Sequence, residues 1–344
     1  LFYIGTSNYE LKEYEKSITY FDRALEIQPY YTCFFNKAAS LTKIGKRQEA
    51  LKLIDAAIEN KPNESQFFYK KYQVYSKINE TEKANIALKK ANVLQPNDPD
   101  ILLDLGVAYY RENKIDSAKY YYQKCIPLKK SKFDVYSNLA NLYAQNEITK
   151  DSAVYYYQKA LIDDPKQASS YYNFGNFYKD QEKYDMAIQM YEQAIDLDPN
   201  LSSAYNNLAV VYSEKKELQL AIKSALKAVE IEPNDYGNNA LLADLYFEIK
   251  DYKNTIKYAT SALQLDKKGY FTTKLFEIRA LSRQFLEEYN NAIADYLDML
   301  ENASDEFKKE NSSIYSNIGY CYLEQNELEN AMIYFNTSLK YNNE

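Results

Sequence analysis

Proline recurs in this chain on a fixed period, and that period limits the folds open to it more than any other feature. Pro29, Pro62, Pro96, Pro165, Pro199 and Pro233 are spaced 33, 34, 69, 34 and 34 residues apart, and Lys130 stands where the double interval lacks its proline. Five residues before each beat lies a small side chain: Ala24, Ala57, Ala91, Cys125, Ala160, Ala194 and Ala228. Proline has no amide hydrogen and its ring clashes with the preceding turn, so each beat ends a helix. The residue before it is driven toward extended geometry. A self-similar period of about 20–50 residues marks stacked supersecondary units, and 34 is the length of one helix–turn–helix.

Residues 168–201 show one period most clearly, reading ASSYYNFGNFYKDQEKYDMAIQMYEQAIDLDPNL. Tyr171, Phe174, Gly175 and Tyr178 fall at i, i+3, i+4 and i+7, one face of a helix. Tyr184, Ala187, Ile188, Tyr191, Ala194 and Ile195 repeat that spacing beyond the polar stretch 179–183. Gly175 and Ala187 are small where two helices must approach closely.

This pattern resembles the tetratricopeptide repeat (TPR) family, with Tyr171 where the family carries tryptophan. It recurs at Tyr205, Leu208, Ala209, Tyr212 and Ala221, and at Leu102, Leu105, Gly106, Tyr109 and Ala118. Tyr136, Leu139, Ala140, Tyr143 and Ala153 fit with one extra residue near Ile148. Tyr315, Ile318, Gly319, Tyr322, Ala331 and Phe335 fit near the end. The resemblance implies an all-α, right-handed superhelical α-solenoid of antiparallel helix pairs. Ten units are expected, over 1–30, 31–64, 65–98, 99–132, 133–167, 168–201, 202–235, 236–272, 273–311 and 312–344. Pro127 should end a second helix early. Bends are expected near 127–132, 267–272 and 304–311, where the spacing slips. Leu1 and Glu344 both fall at helical positions, so the N-terminus is expected to be missing from the chain and the exposed solenoid ends are expected to permit self-association.

Composition narrows the function. The chain has 42 basic and 49 acidic residues, giving a net charge of −7, with no basic stripe of the kind that tracks nucleic acid. No apolar run approaches the ~20 residues of a membrane span. Histidine, the commonest general base and metal ligand, is absent. Phosphate-loop, dinucleotide-fold and zinc-protease motifs are absent too. The reading is of a chain without catalytic residues, metal or cofactor. Cys33, Cys125 and Cys321 fall in distant units, where neighbour-only packing predicts unpaired, buried thiols. That inclines toward a reducing, cytoplasmic setting. The runs Tyr120–Tyr122 and Tyr155–Tyr157 wrap more than half of a helix, so each is expected to be only partly buried.

The family resemblance implies that first helices line a concave groove. Residues two places after the leading aromatic position then face it, including Asn36, Lys70, Asp104, Asn138, Asn173, Asn207 and Asn317. Asparagine is a poor mid-helix residue, and its amide can both donate to and accept from a peptide backbone. Asn138, Asn173 and Asn207, deepened by Asn141 and Asn176, resemble the asparagine ladder in the TPR superhelix of O-linked N-acetylglucosamine transferase. The alternative is that these amides tie neighbouring repeats together. Tyr110, Tyr172 and Asn206 are further candidates for the groove, and Lys43, Lys77 and Arg111 recur at 34-residue spacing as a basic track. The expected function is a non-catalytic scaffold binding peptide segments or partner proteins. The alternative is the substrate-selecting region of a larger enzyme or sensor.

Overall fold

A computed structural model describes residues 1–28, 31–128, 132–145, 147–266, 272–301 and 303–342. The chain forms two compact units, 1–165 and 166–344, each a stack of antiparallel helix pairs. The first holds α1 (Phe2–Glu10), α2 (Tyr14–Ile27), α3 (Tyr31–Lys43), α4 (Arg47–Asn60), α5 (Ser65–Lys77), α6 (Thr81–Leu94), α7 (Pro99–Arg111), α8 (Ile115–Cys125), α9 (Phe133–Ala144) and α10 (Lys150–Asp163). The second holds α11 (Ala168–Asp180), α12 (Tyr184–Leu197), α13 (Ser202–Glu214), α14 (Leu218–Ile231), α15 (Tyr236–Glu248), α16 (Tyr252–Leu265), α17 (Thr272–Phe285), α18 (Tyr289–Glu301), α19 (Asp305–Glu310), α20 (Ser313–Glu324) and α21 (Leu328–Asn342). Within each unit the helices of a pair pack together and the second helix of a pair packs on the first helix of the following one, with α18 passing α19 to meet α20 and α19 resting on α21. The fold is an all-α solenoid.

The proline period acts as the sequence predicts. At each beat the residue before proline donates its N–H to the carbonyl of the small residue: Lys61 to Ala57, Gln95 to Ala91, Asp164 to Ala160, Asp198 to Ala194 and Glu232 to Ala228, all at 2.9–3.0 Å. Asp198 is extended at φ −133°, ψ 91°, as proline at the next position demands. Pro127 leaves α8 with 11 residues against 14 for α6 and α10.

Inside a pair, shape complementarity follows a rule of its own. Gly5, Gly106, Gly175 and Gly319 each face the aromatic ring sixteen positions on: Phe21, Tyr122, Tyr191 and Phe335. A Cβ on Gly106 would sit 2.3 Å from the Tyr122 ring, and one on Gly175 would sit 2.7 Å from Tyr191. Where the first helix carries Ala38, Ala209 or Ala243, the residue sixteen on shrinks to Ile54, Ala225 or Ala259. In these pairs small and large exchange across the interhelical gap, whereas Ala280 keeps a buried aromatic sixteen positions on, Tyr296.

Among the described residues the turns within nine of the pairs carry a left-handed residue: Lys12, Gly45, Asn79, Asn113, Glu182, Lys216, Lys250, Glu287 and Asn326 have φ between 57° and 83°. The next N–H then reaches back five residues. Lys183 donates to the Tyr178 carbonyl at 2.9 Å and Glu217 to Tyr212 at 2.8 Å, closing the helix C-terminus. One of these residues is glycine.

Cys33, Cys125 and Cys321 are buried in three separate helix pairs, and the Cys125 thiol donates to the Pro99 carbonyl at 3.2 Å. The tyrosine runs are split as expected: Tyr122 and Tyr157 are buried, while Tyr120 and Tyr155 are about half exposed. The 304–311 irregularity forms α19, capped by Ser304, whose Oγ accepts from the Phe307 N–H at 3.1 Å. The expected bends at 127–132 and 267–272 fall largely outside the described residues, as do Pro29 and Lys130. Among the described residues no helix is long and apolar enough to cross a membrane, and no cluster of acidic or cysteine side chains could hold a metal.

Candidate functional site

The candidate asparagines divide into bonded and open amides. In the second unit, α11 presents Tyr172, Asn173 and Asn176, and α13 presents Asn206 and Asn207. The Tyr191 hydroxyl donates to Asn176 Oδ1 at 2.8 Å, and Asn207 Nδ2 donates to the same oxygen at 2.7 Å. Asn207 Nδ2 also reaches the Tyr172 hydroxyl at 3.2 Å. Asn206 Nδ2 donates to Asn238 Oδ1 at 2.8 Å, and the Asn238 amide in turn donates to Ser202 Oγ at 3.0 Å. These bonds link neighbouring helices and neighbouring repeats. Asn173 is half-buried, and its side chain makes no hydrogen bond among the described residues.

The first unit shows the same division. Asn141 Oδ1 accepts from the Tyr157 hydroxyl at 2.6 Å, as Asn176 does from Tyr191. The Tyr110 hydroxyl accepts from Gln145 Nε2 at 2.6 Å, and burial pushes its pKa up. Asn138 is half-buried and, like Asn173, unbonded among the described residues. In two repeats a tyrosine 35 positions upstream meets the ladder residue. Tyr69 donates to Asp104 Oδ2 at 2.7 Å, and Tyr172 pairs with Asn207, but Leu103 stands 35 positions before Asn138 and has no polar group to offer. Burial and then Asp104 raise the Tyr69 pKa.

The basic track converges in part. Lys43, Lys77 and Arg111 close the last turns of α3, α5 and α7, where a helix C-terminus favours cations. Lys43 and Lys77 line one cavity of about 430 Å³ together with Tyr9, Thr42, Lys70, Gln73, Ser76 and Asp104. Arg111 is exposed and is not among its lining residues. Lys70 also lines a cavity of about 170 Å³ walled by Phe21, Phe35, Asn36 and Ala39. Its Nζ donates to Gln73 Oε1 at 3.1 Å and lies 5.2 Å from the Phe35 ring centre. Burial, then Lys77 and Lys43, pull the Lys70 pKa down to about 8. Among the described residues none of the three lysines forms an ion pair. Tyr9 escapes the sequence reading, although it sits 34 residues before Lys43 on the same repeat position. Gln73 carries no periodic signal.

The family described as tetratricopeptide repeat matches residues 4–31, 100–126, 156–189, 202–235 and 312–344, and a TPR repeat description matches 175–216. The Protein STIP1 homolog of Dictyostelium discoideum is 25% identical over 147 residues, 42% of this chain and 23% of that protein, so the chain matches under a quarter of that relative's length. Pseudomonas aeruginosa pilF superposes with a TM-score of 0.52 at 22% identity, over 62% of this chain and 97% of its own. IFIT1 with Gppp-AAAA superposes at 0.54 and 15% identity, over 98% of this chain and 89% of its own. At these identities the likenesses concern the fold alone. With the 34-residue period, the helix pairs and the small-to-aromatic contacts already in place, the repeat matches complete the assignment: the chain belongs to the tetratricopeptide-repeat family.

Proposed function

We propose that this chain is a non-catalytic protein-interaction scaffold whose first helices hold extended peptide segments of partner proteins. The carrying observation is an open amide on a first helix of each unit, taken separately. Asn138 and Asn173 are half-exposed, lie at the ladder position of their helices, and keep donor and acceptor unspent. An amide in that state can bond a peptide N–H and C=O without reading side chains. Asn176 and Asn207 keep a different task, orienting the strip by bonding to each other and to Tyr191. The net charge of −7 favours protein over nucleic-acid ligands.

The test begins with peptides selected from a random display library against the intact chain. Replacing both Asn138 and Asn173 by alanine should weaken the selected peptides at least tenfold while leaving the thermal midpoint within a degree or two. Asn207→Ala should do the reverse, lowering the midpoint and changing affinity little. Unchanged affinity in the double variant would refute the groove reading.

A further inference from the structure

We infer that the second helices of three consecutive repeats in the first unit form a face on which a second copy of this chain docks, each helix against its own antiparallel copy. This goes beyond the peptide-binding reading, since it uses none of the first-helix residues that carry that reading. Three rows of side chains running across α6, α8 and α10 support it.

The first row is apolar. Ile86, Tyr120 and Tyr155 recur at intervals of 34 and 35 residues and are 69, 57 and 52% exposed. Seven residues further along each repeat stand Val93, Pro127 and Ile162, exposed as well. Folding a repeat does not require apolar residues here: Lys52 and Glu59 hold the two positions in α4, and Gln189 and Asp196 hold them in α12. Large apolar side chains left in water at one register of successive repeats mark an interaction surface rather than a packing need.

The second row is acidic and the third basic. Glu82, Asp116 and Asp151 lie four residues before the apolar positions, and Lys90, Lys124 and Lys159 lie four residues after them. At about 100° per residue, each acid, apolar residue and lysine share one face about 80° wide. Neither charged row is spent. Among the described residues none of the six forms an ion pair. Lys90 lies 6.0 Å from the Phe68 ring centre, Lys159 lies 5.4 Å from that of Tyr155, and Lys124 Nζ donates to the Pro96 carbonyl at 3.1 Å.

The order acid, apolar, base selects the occupant. A two-fold axis laid along the first apolar row turns each helix over onto its own copy. Ile86, Tyr120 and Tyr155 then meet themselves. Because the charged positions are equally far from that row, Glu82 meets Lys90 of the second copy, Asp116 meets Lys124 and Asp151 meets Lys159, each contact occurring twice by symmetry. A parallel arrangement would set carboxylate against carboxylate, so the charges exclude it. An anionic lipid surface would attract the lysines but repel the carboxylates eight residues away. Only a surface carrying both rows in reverse order answers both, and this chain carries one.

The experiment is sedimentation equilibrium of the full chain from about 1 to 100 µM, in about 0.05 M and about 0.5 M sodium chloride. The expected result is a mass rising toward twice that of the chain, with a dissociation constant at least about threefold larger at the higher salt. Asp116→Lys and Lys124→Glu each set like charges across the axis and should weaken the dimer at least about tenfold. Mixed in equal amounts, the two variants oppose unlike charges at both contacts, and dimerisation should return to within about threefold of wild type. Lys223→Glu, at an exposed position of α14, should change nothing. Three results would each overturn the proposal: a monomer throughout the range, a dimer indifferent to salt, or variants whose mixture stays monomeric. A chain that stays monomeric yet binds vesicles of phosphatidylserine and phosphatidylcholine overturns it in favour of a membrane. Circular dichroism of each variant separates loss of fold from loss of contact, and recovery on mixing is a result no unfolded variant can give. The double alanine variant of Asn138 and Asn173 should dimerise as wild type does, so failure of the open-amide reading and failure of this face are seen independently.

Discussion

Replacing Gly106 by alanine is an unusually sharp test of how these helix pairs are held together. Alanine is the better helix former by about 1 kcal/mol, so on propensity alone the change should stabilise. The new Cβ, however, would lie 2.3 and 2.4 Å from Cε1 and Cδ1 of Tyr122, about 1 Å inside any tolerable contact. The ring cannot swing clear. Tyr122 is 1% exposed and sits in a cluster with Leu102, Ala118, Cys125, Val135 and Leu139. Overpacking a rigid site costs about 1–3 kcal/mol, and this geometry belongs at the upper end. The net expectation is a loss of about 2 kcal/mol. In a Tyr122→Leu background the ring is gone, the clash disappears and propensity alone remains. Gly106→Ala should there stabilise by up to about 1 kcal/mol, a coupling of about 3 kcal/mol between the two positions. Urea unfolding midpoints of wild type, both single variants and the double variant measure it. If Gly106→Ala stabilises the wild type, or if its effect keeps the same sign when Tyr122 is leucine, the small-against-aromatic account of the pair is wrong.

Other sites give independent expectations. Glu182, at φ 57°, is an L-residue held in the left-handed region, so Glu182→Gly should raise stability by about 0.5–1 kcal/mol in the same urea assay. Asp295 is buried and accepts from Arg279 Nε at 3.0 Å and from Arg283 Nη1 at 2.7 Å, so Asp295→Ala leaves two guanidinium groups without their carboxylate and should cost about 3–5 kcal/mol. Lys70 gives a pH signature in stability. Its folded pKa, about 8, lies below the value of a free lysine, so its charge opposes folding fully below pH 8 and the opposition fades as pH rises toward about 10.4. Lys70→Met should therefore stabilise by on the order of 1 kcal/mol at pH 7 and by less and less above pH 8, read from thermal midpoints across pH 6–10. A constant difference across that range removes the electrostatic explanation.

The fold was legible in the sequence because its causes are local and repeated. Pro199 and Ala194, five residues apart, determine one helix end between them, and the same pair of causes acts at Pro62, Pro96, Pro165 and Pro233. The left-handed turn residues were not legible, because lysine, glutamate, asparagine and glycine all occupy that position. Two packed helices impose the conformation, and no residue type announces it. The candidate site sits between these extremes. Position two after the leading aromatic picks out Asn138, Asn173 and Asn207 equally, yet Asn207 is bonded and the other two are open. For Asn138 the difference lies 35 residues upstream, in Leu103 where other repeats carry Tyr69 or Tyr172. That signal is present in the sequence but becomes readable only once the contact between successive first helices is known. The lysines show where periodicity stops being informative. Lys43, Lys77 and Arg111 share one register, but the cavity takes the first two and recruits Lys70 from another, because a side chain's reach across the groove is not a function of its register. Repetition therefore specifies the backbone, and the candidate site arises at departures from it: a leucine where a tyrosine ties its neighbour, and a half-buried lysine where other repeats carry asparagine.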